Sequence, residues 1–396
     1  MCAVCLSPAS AQCSRCKFVS YCSPAHQKED WKAHKTLCPR LAQEALAAVF
    51  KPCDEELLLR ITTCLAQNGY HKEVGIMVQL NKKFWTDEQI WDAFKDVPGP
   101  RGRTRLMYAS CQGWLSRVKW ILARGARVNT GTFSDGTTSL MGASFNGHLE
   151  VVSELCKWGA NVHAVKTNDG YTALMFACHE GHLDIVRELC KRGANVNAAK
   201  SDNGFSALMC ATQEGHIEIA RELCASGANV NYAISSEGLT SLMVASQHGH
   251  LEIVRELCKR GANSNAAKTD NGFTALMCAC QEGHLEIVRE LCAKGAYLNY
   301  TSVSIGQTSL MCACHKGHLE VVRELCARGA NVNATSTRNG GTALHGACFG
   351  GHLEVARLLL QKGADKSATM TDGSGDTAFS LANGPHKVAL QALLKL

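Results

Sequence analysis

Apolar and polar positions follow a pattern that returns at a fixed interval along most of the chain. A six-residue motif (Thr or Ser, any residue, Leu, Met or His, any residue, Ala) recurs every 34 residues. Its copies start at Thr104, Thr138, Thr172, Ser206, Thr240, Thr274, Thr308 and Thr342. A fixed period of this length predicts an array of stacked structural repeats rather than several independent globular domains.

Each unit of the pattern predicts two helices and a turn. In the unit that begins at Thr172, apolar residues recur at helical spacing over 172–181 and again over 182–193. The threonine is suited to cap the first helix, and a glycine is placed to end each helix. A stretch rich in Asn, Asp, Ser and Gly follows, in which Asn203-Gly204 predicts a hairpin turn. Two short helices cannot bury both of their faces alone, so the units must stack.

Two further motifs keep the same phase. Gly-His-Leu precedes most second helices, as at Gly181, and Gly-Ala-Asn-Val-Asn closes most units, as at 193–197. Together the motifs resemble the ankyrin repeat over residues 101–396. The resemblance implies a mainly α fold, an ankyrin-repeat solenoid of helix-turn-helix-hairpin units, with eight repeats over 101–372 and a degenerate capping repeat over 373–396. Met replaces the family's usual His in the first motif, which keeps an apolar contact.

The resemblance also implies where a partner would bind, because ankyrin repeats usually recognise partners with their hairpin tips and the ends of their first helices. The predicted partner-binding residues are Asp169, Tyr171, His179, Glu180, Asp202, Phe205, Gln213, Glu214, Glu237, Leu239, Asp270, Phe273, Gln281 and Glu282. Aromatic or aliphatic residues recur there beside acids, which suits a partner that offers apolar anchors flanked by basic groups. The alternative is that these tips are solvated loops.

The first 38 residues contain a dense cluster of cysteine and histidine. Cys-x2-Cys pairs, a Cys-x3-His pair and a His-x3-Cys pair together supply eight sulfur and nitrogen ligands. Eight ligands equal two tetrahedral zinc sites with none left over, and so short a segment would fold by binding metal. Structural zinc is therefore predicted, and a redox or disulfide role is the alternative.

The cluster resembles the MYND zinc finger over residues 2–38. By that resemblance the ligands interleave between two structural zinc ions. The first ion is held by Cys2, Cys5, Cys22 and His26, and the second by Cys13, Cys16, His34 and Cys38. His26 stands where the family usually has cysteine, and imidazole still serves as a zinc ligand. Family members dock short peptides beside the second site, which implies peptide-binding roles for Gln27 and Trp31; packing within the finger is the alternative for Trp31.

Composition narrows the class of protein. Hydrophobic residues make up 46% of the chain and charged residues 19%, which excludes wholesale disorder. We find no signal peptide and no apolar run of membrane-spanning length, so we expect an intracellular chain, cytoplasmic or nuclear or both, without membrane contact. A reducing compartment favours metal binding and packing as the uses of the 22 cysteines. One recurring column is predicted to be buried and apolar because leucine takes its place in the end repeats: Cys156, Cys190, Cys224, Cys258, Cys292 and Cys326.

These observations predict three parts: a MYND-type finger over 1–40, a helical linker and N-terminal cap over 41–100, and the repeats. The predicted function is a non-catalytic scaffold in which the repeats bind one protein and the finger docks a peptide of another. An enzyme is disfavoured because no catalytic motif is found, and no small-molecule substrate is expected. A MYND-containing transcription or chromatin regulator is the alternative; nucleic-acid binding ranks last, since the formal charge is only +6.

Overall fold

The structure, a computed structural model, describes residues 11–12, 20–21 and 103–395 apart from residue 133. Two short strands, β1 (Ala11–Gln12) and β2 (Ser20–Tyr21), pair antiparallel within the predicted finger, with Ala11 opposite Tyr21. The eight predicted zinc ligands, Gln27, Trp31 and the predicted linker over 41–100 lie outside the described residues.

Short helices joined by turns and hairpins build the described repeats, and the chain divides into two compact units, residues 1–168 and 169–396. The first unit contains α1 (Arg105–Cys111), α2 (Leu115–Ala123), α3 (Ser139–Phe145) and α4 (Leu149–Lys157). The second unit contains α5 (Ala173–His179), α6 (Leu183–Lys191), α7 (Ala207–Glu214), α8 (Ile217–Ala225), α9 (Ser241–His248), α10 (Leu251–Lys259), α11 (Ala275–Glu282), α12 (Leu285–Ala293), α13 (Ser309–Lys316), α14 (Leu319–Ala327), α15 (Ala343–Phe349), α16 (Leu353–Gln361) and α17 (Lys387–Lys395).

The local signals in the sequence act as predicted. Thr172 caps α5, where its side-chain oxygen accepts the Met175 amide at 3.2 Å, and Ser206 caps α7 in the same way at 3.3 Å. Such a cap satisfies one of the amides that a helix leaves unpaired at its start. Left-handed glycines follow the helices, among them Gly193 at φ +81°. The predicted helix-helix-hairpin unit is therefore confirmed.

Packing in the second unit follows two parallel rows of helices. The first helices of successive repeats pack on one another from α5 through α15, and the second helices do so from α6 through α16. Residues facing between the rows are removed from solvent; Ala279, Val288 and Leu291 have no exposed surface. In the first unit, α1 packs on α3 and α2 on α4. Burial of this shared apolar layer stabilises each repeat through its neighbours.

The hairpins project from one end of each first helix. Single backbone bridges close them, for example between Ala199 and Ser206, and the Ser201 amide donates to the Asp169 carbonyl of the preceding hairpin at 3.0 Å. In the last repeat, residues 378–381 form turns instead of a first helix, and α17 packs on α16. Among the described helices, none is both long and apolar enough to cross a bilayer.

The repeat cysteines occupy two kinds of environment. Apart from Cys111, the cysteines of the first helices are buried, and Cys280 and Cys314 have no exposed surface. The column on the second helices, from Cys156 to Cys326, is only half-buried, so the prediction that it is buried was wrong. Burial raises the pKa of the Cys224 thiol, and Arg260 and Glu256 of the next repeat have smaller, opposite effects on it.

Candidate partner-binding surface

A ladder of histidine side chains fixes the ends of the first helices in the second unit. In each case the ring Nε2 donates to a backbone carbonyl 37 residues earlier, at the end of the preceding first helix. The pairs are His216 with His179 (3.2 Å), His250 with Gln213 (3.0 Å), His284 with Gln247 (3.1 Å), His318 with Gln281 (2.9 Å) and His352 with His315 (3.1 Å). The backbone of the predicted recognition positions is therefore held, while their side chains remain available to a partner.

Close approach of the histidine ring explains the glycine that ends each first helix. Gly283 has a φ of +81°, and a Cβ placed there would lie 2.6 Å from His318 Nδ1. A Cβ placed at Gly249 would likewise lie 2.8 Å from His284 Cε1. The glycine is thus required both by the left-handed backbone and by the ring of the next repeat.

The structure brings four predicted residues together at the ends of α5 and α7. His179 Nδ1 lies 2.9 Å from Glu180 Oε1, and His179 Nε2 lies 3.6 Å from Glu214 Oε1. Gln213 Nε2 donates to the same Glu214 oxygen at 3.0 Å. Across the part of the chain that the structure describes, neither glutamate forms an ion pair with lysine or arginine. These carboxylates are therefore held in place by histidine and amide groups but are not neutralised by a permanent cation.

A second cluster of the same kind lies at the end of α11. Gln281 Nε2 donates to Glu282 Oε1 at 2.9 Å, and Glu282 has no lysine or arginine partner within the described residues. Gln281 is half-buried and Glu282 is exposed. The helix ends thus present carboxylates that can accept a basic group of a partner.

The acids of the hairpin tips are in a different state, because lysines on the hairpins already pair with them. Lys200 Nζ lies 3.5 Å from Asp202 Oδ2, and Lys268 Nζ lies 3.3 Å from Asp270 Oδ2 and 3.6 Å from Glu237 Oε2. Sequence reasoning did not include these lysines in the site. The signal was present in the Lys-x-Asp-Asn-Gly-Phe motif, which places the cation two residues before the acid.

The predicted apolar anchors are half-buried rather than projecting. Tyr171 stacks on Phe176 with ring centroids 4.6 Å apart, and Lys200 Nζ lies 4.2 Å from the centre of the Tyr171 ring. Phe205, Leu239 and Phe273 are also half-buried. These side chains form the apolar edge of the surface, and Asp169 accepts the Tyr171 amide at 3.1 Å within its own turn.

Charges on the opposite row of helices neutralise one another. Arg255 bridges Glu252 of its own helix (2.6 Å) and Glu290 of the next repeat (3.3 Å). Arg289 bridges Glu286 and Glu324 at 2.7 and 3.1 Å in the same way. Hydrogen bonding from Arg328 and then from Arg289 holds the pKa of Glu324 below its usual value. The second-helix face therefore has paired charges, whereas Glu180, Glu214 and Glu282 at the first-helix ends have no lysine or arginine partner among the described residues.

Comparison with known proteins identifies both parts of the chain. The family model described as ankyrin repeats (3 copies) matches residues 65–166, 159–234, 231–302 and 299–370, and the MYND finger model matches residues 2–38. The ankyrin match begins inside the segment over 41–100 that was predicted to be a linker and cap.

Among solved structures, the crystal structure of the human ASB11 ankyrin repeat domain is similar, with 28% identity and a TM-score of 0.51 over 58% of this chain and 99% of that chain. No curated protein sequence matches. Ankyrin repeats and MYND fingers are protein-interaction modules, and the finger binds zinc. The chain therefore belongs to the ankyrin-repeat proteins and carries an N-terminal MYND finger.

Proposed function

We propose that the protein is a non-catalytic scaffold in which the ankyrin repeats bind one protein and the MYND finger docks a short peptide of another. Joining two binding modules in one chain raises the effective concentration of one partner near the other. The proposal places the scaffold in the cytoplasm, the nucleus or both, where a reducing environment keeps the finger's thiolates available to zinc.

One observation carries the solenoid part of this proposal. The helix-end carboxylates of Glu180, Glu214 and Glu282 have no lysine or arginine partner among the described residues, whereas the second-helix glutamates pair across repeats with Arg255 and Arg289. Unneutralised acids at the ends of first helices, in repeats that also carry half-buried apolar side chains, favour a partner with both basic groups and an apolar anchor.

Affinity capture from a cell lysate tests this part, with the full chain as bait and quantitative mass spectrometry as the readout. We expect Glu214→Gln combined with Glu282→Gln to reduce the recovery of a defined set of proteins. The matched control is Glu218→Gln combined with Glu286→Gln, which removes two glutamates from the second-helix face. Equal loss with both pairs would refute recognition by the helix ends.

The scaffold role requires a second, separable partner. We expect Trp31→Ala to reduce the recovery of proteins other than those lost with the glutamate variants. Sequential capture, first through one partner and then through the other, should recover both partners in one complex with the intact chain. With either variant, one of the two partners should be missing from that complex. Two partners that never occur in one complex would refute the scaffold while leaving each binding role intact.

We also propose that the finger holds two structural zinc ions with the interleaved ligands given above. Two tetrahedral sites of four ligands each use every cysteine and histidine of the predicted set. Elemental analysis of the full chain should find about two zinc ions per chain. Cys22→Ser and Cys38→Ser should each lower the zinc content, whereas Cys53→Ser, outside the finger, should not. A content unchanged by both finger variants would refute the ligand assignment.

A further inference from the structure

A groove of about 680 Å³ opens in the C-terminal part of the second unit. It lies between the hairpins that precede α13 and α15, the last hairpin over 370–376, and the first helices α13 and α15. Met311, Phe349 and Met370 supply apolar lining, and the Phe349 side chain is 55% exposed. A volume of this size is in the range of pockets that bind small ligands or a few side chains.

Two glycines line this groove at positions where other repeats have larger side chains. Gly341 takes the hairpin position of Phe205 and Phe273; in all three the carbonyl accepts an amide from the start of its own hairpin at 2.8 Å. Gly346 takes the position that Cys312 occupies in the preceding first helix. Neither glycine has a left-handed φ, so the backbone alone does not require them. At both positions the groove is therefore lined by backbone atoms alone.

The last hairpin, like those with Ile234, Ser302 and Ser336 at the equivalent position, lacks the lysine that pairs with the acids of some other hairpins. Met370 stands where Lys200 and Lys268 pair with the acids of their own tips. Asp372 and Asp376 both line the groove, and within the described residues neither has a lysine or arginine partner. The amide and hydroxyl of Ser374 donate to Asp372 Oδ1 at 3.0 and 2.6 Å. These bonds lower the pKa of Asp372, so its carboxyl group is ionised at neutral pH.

One arginine lies on the neighbouring hairpin. The Arg338 side chain lines the groove and has no ion-pair partner in the described part of the chain. Burial, with smaller effects from Lys316 and His352, lowers the pKa of His315, so this side chain adds no positive charge to the groove at neutral pH. Two carboxylates on one hairpin and one guanidinium on the next leave the groove with an excess of negative charge. A basic ligand group is favoured beside Asp372 and Asp376.

We propose that this groove binds a short peptide in which an apolar side chain stands next to a lysine or arginine. The apolar side chain packs against Met311, Phe349 and Met370, and the basic group pairs with Asp372 and Asp376. The inference rests on the proposed role of the repeats in binding a protein, and it names a second recognition site, distinct from the helix ends of α5, α7 and α11.

A library of random nonapeptides displayed on phage, selected against the full chain, tests the proposal. Enriched sequences are then made as fluorescein-labelled peptides and titrated by fluorescence anisotropy. Gly341→Phe restores the bulk found at Phe205 and fills the groove. Asp372→Asn combined with Asp376→Asn removes the two charges without adding volume. Asp365→Asn is the matched control, because Ser367 donates its amide and hydroxyl to Asp365 just as Ser374 does to Asp372.

We expect the enriched peptides to combine an aromatic or aliphatic residue with lysine or arginine. Gly341→Phe should weaken their binding at least about tenfold and the asparagine pair about tenfold, with a smaller salt dependence in the latter. Asp365→Asn should leave affinity within about twofold of the unchanged chain. Circular dichroism reports whether Gly341→Phe folds. If it does not fold, the asparagine pair still tests whether the two carboxylates contribute to peptide binding.

Two results would overturn the proposal. One is a library that yields no peptide of this composition. The other is a set of enriched peptides that bind both variants as tightly as the unchanged chain, which would locate recognition outside the groove. In either case the scaffold role is judged separately, because the lysate capture with the Glu214 and Glu282 variants does not involve this groove.

Discussion

The close approach of each helix-ending glycine to the histidine of the next repeat predicts how much alanine at that glycine lowers the free energy of unfolding. One repeat contains both a glycine that meets the histidine and a control glycine that does not. Gly283 and Gly295 have the same φ, +81°. A Cβ at Gly283 would meet His318 Nδ1 at 2.6 Å, whereas a Cβ at Gly295 would meet nothing within 4 Å. Alanine at either position therefore carries the same backbone cost, and only Gly283→Ala disturbs a neighbouring repeat.

The expected magnitudes follow from these geometries. An alanine held in the left-handed region costs about 1–2 kcal/mol, which is the whole effect expected for Gly295→Ala. Gly283→Ala must in addition displace the His318 ring and its 2.9 Å bond to the Gln281 carbonyl. Losing a side-chain hydrogen bond to a half-buried group costs about 1 kcal/mol more. Gly283→Ala should therefore lower the free energy of unfolding by about 2–3 kcal/mol.

Urea unfolding of the full chain under reducing conditions, followed by circular dichroism, measures both costs. The same substitutions are then made in a His318→Ala background, where no ring remains to be displaced. There the two alanines should cost the same, and the difference in the original background is the coupling energy between Gly283 and His318. Equal costs in the original background, or an extra cost of Gly283→Ala that persists without His318, would refute the reasoning.

Three further outcomes are expected. Burial raises the pKa of the thiols to about 12 for Cys210, about 11 for Cys278 and about 12 for Cys312. These thiols stay protonated in the folded chain while unfolded thiols ionise, so the free energy of unfolding should be constant below about pH 9 and fall above it. Val244 occupies the same position in the repeat between Cys210 and Cys278, so valine should fit at all three sites. Replacing the three cysteines with valine should reduce the loss of unfolding free energy above pH 9, as measured by urea unfolding at several pH values. An unchanged loss would contradict this. Thr274→Ala should cost about 1 kcal/mol through loss of the cap on Met277, and Thr274→Ser should restore most of it in thermal unfolding, since Ser206 makes the same cap. Arg289→Gln should lower the urea midpoint only at low salt, because its two ion pairs are exposed; a loss that persists in 1 M salt would contradict surface screening.

Much of the fold could be predicted because its determinants are local. The 34-residue period, the capping Thr172 and the left-handed Gly193 act within one repeat, so the sequence indicates where helices begin and end. The half-burial of the Cys156–Cys326 column could not be predicted in this way. Leucine at the equivalent position of the end repeats indicated an apolar site. The exposure of that site depends on how closely the neighbouring second helices approach one another.

The candidate surface was predicted as a set of positions but not as a charge distribution. The sequence places acids at both hairpin tips and helix ends, and the lysine two residues before Asp202 and Asp270 is the signal that distinguishes those tips. The structure shows the difference directly. Lys268 pairs with Glu237 of the preceding hairpin, whereas Glu282 accepts a hydrogen bond from Gln281 and has no lysine or arginine partner among the described residues. The groove near Gly341 was missed for a similar reason, since a missing side chain matters only where its neighbours leave the space unfilled.

The sequence by itself therefore determined the repeat, its caps, its turns and the identity of the two modules, because each depends on residues close together in the chain. Tertiary structure alone decided which charges remain unpaired, which glycines touch a histidine ring and where a groove opens. The physical reason is that stacking brings together residues 30 to 37 positions apart, and only their mutual distances determine whether a charge is neutralised or a space is filled.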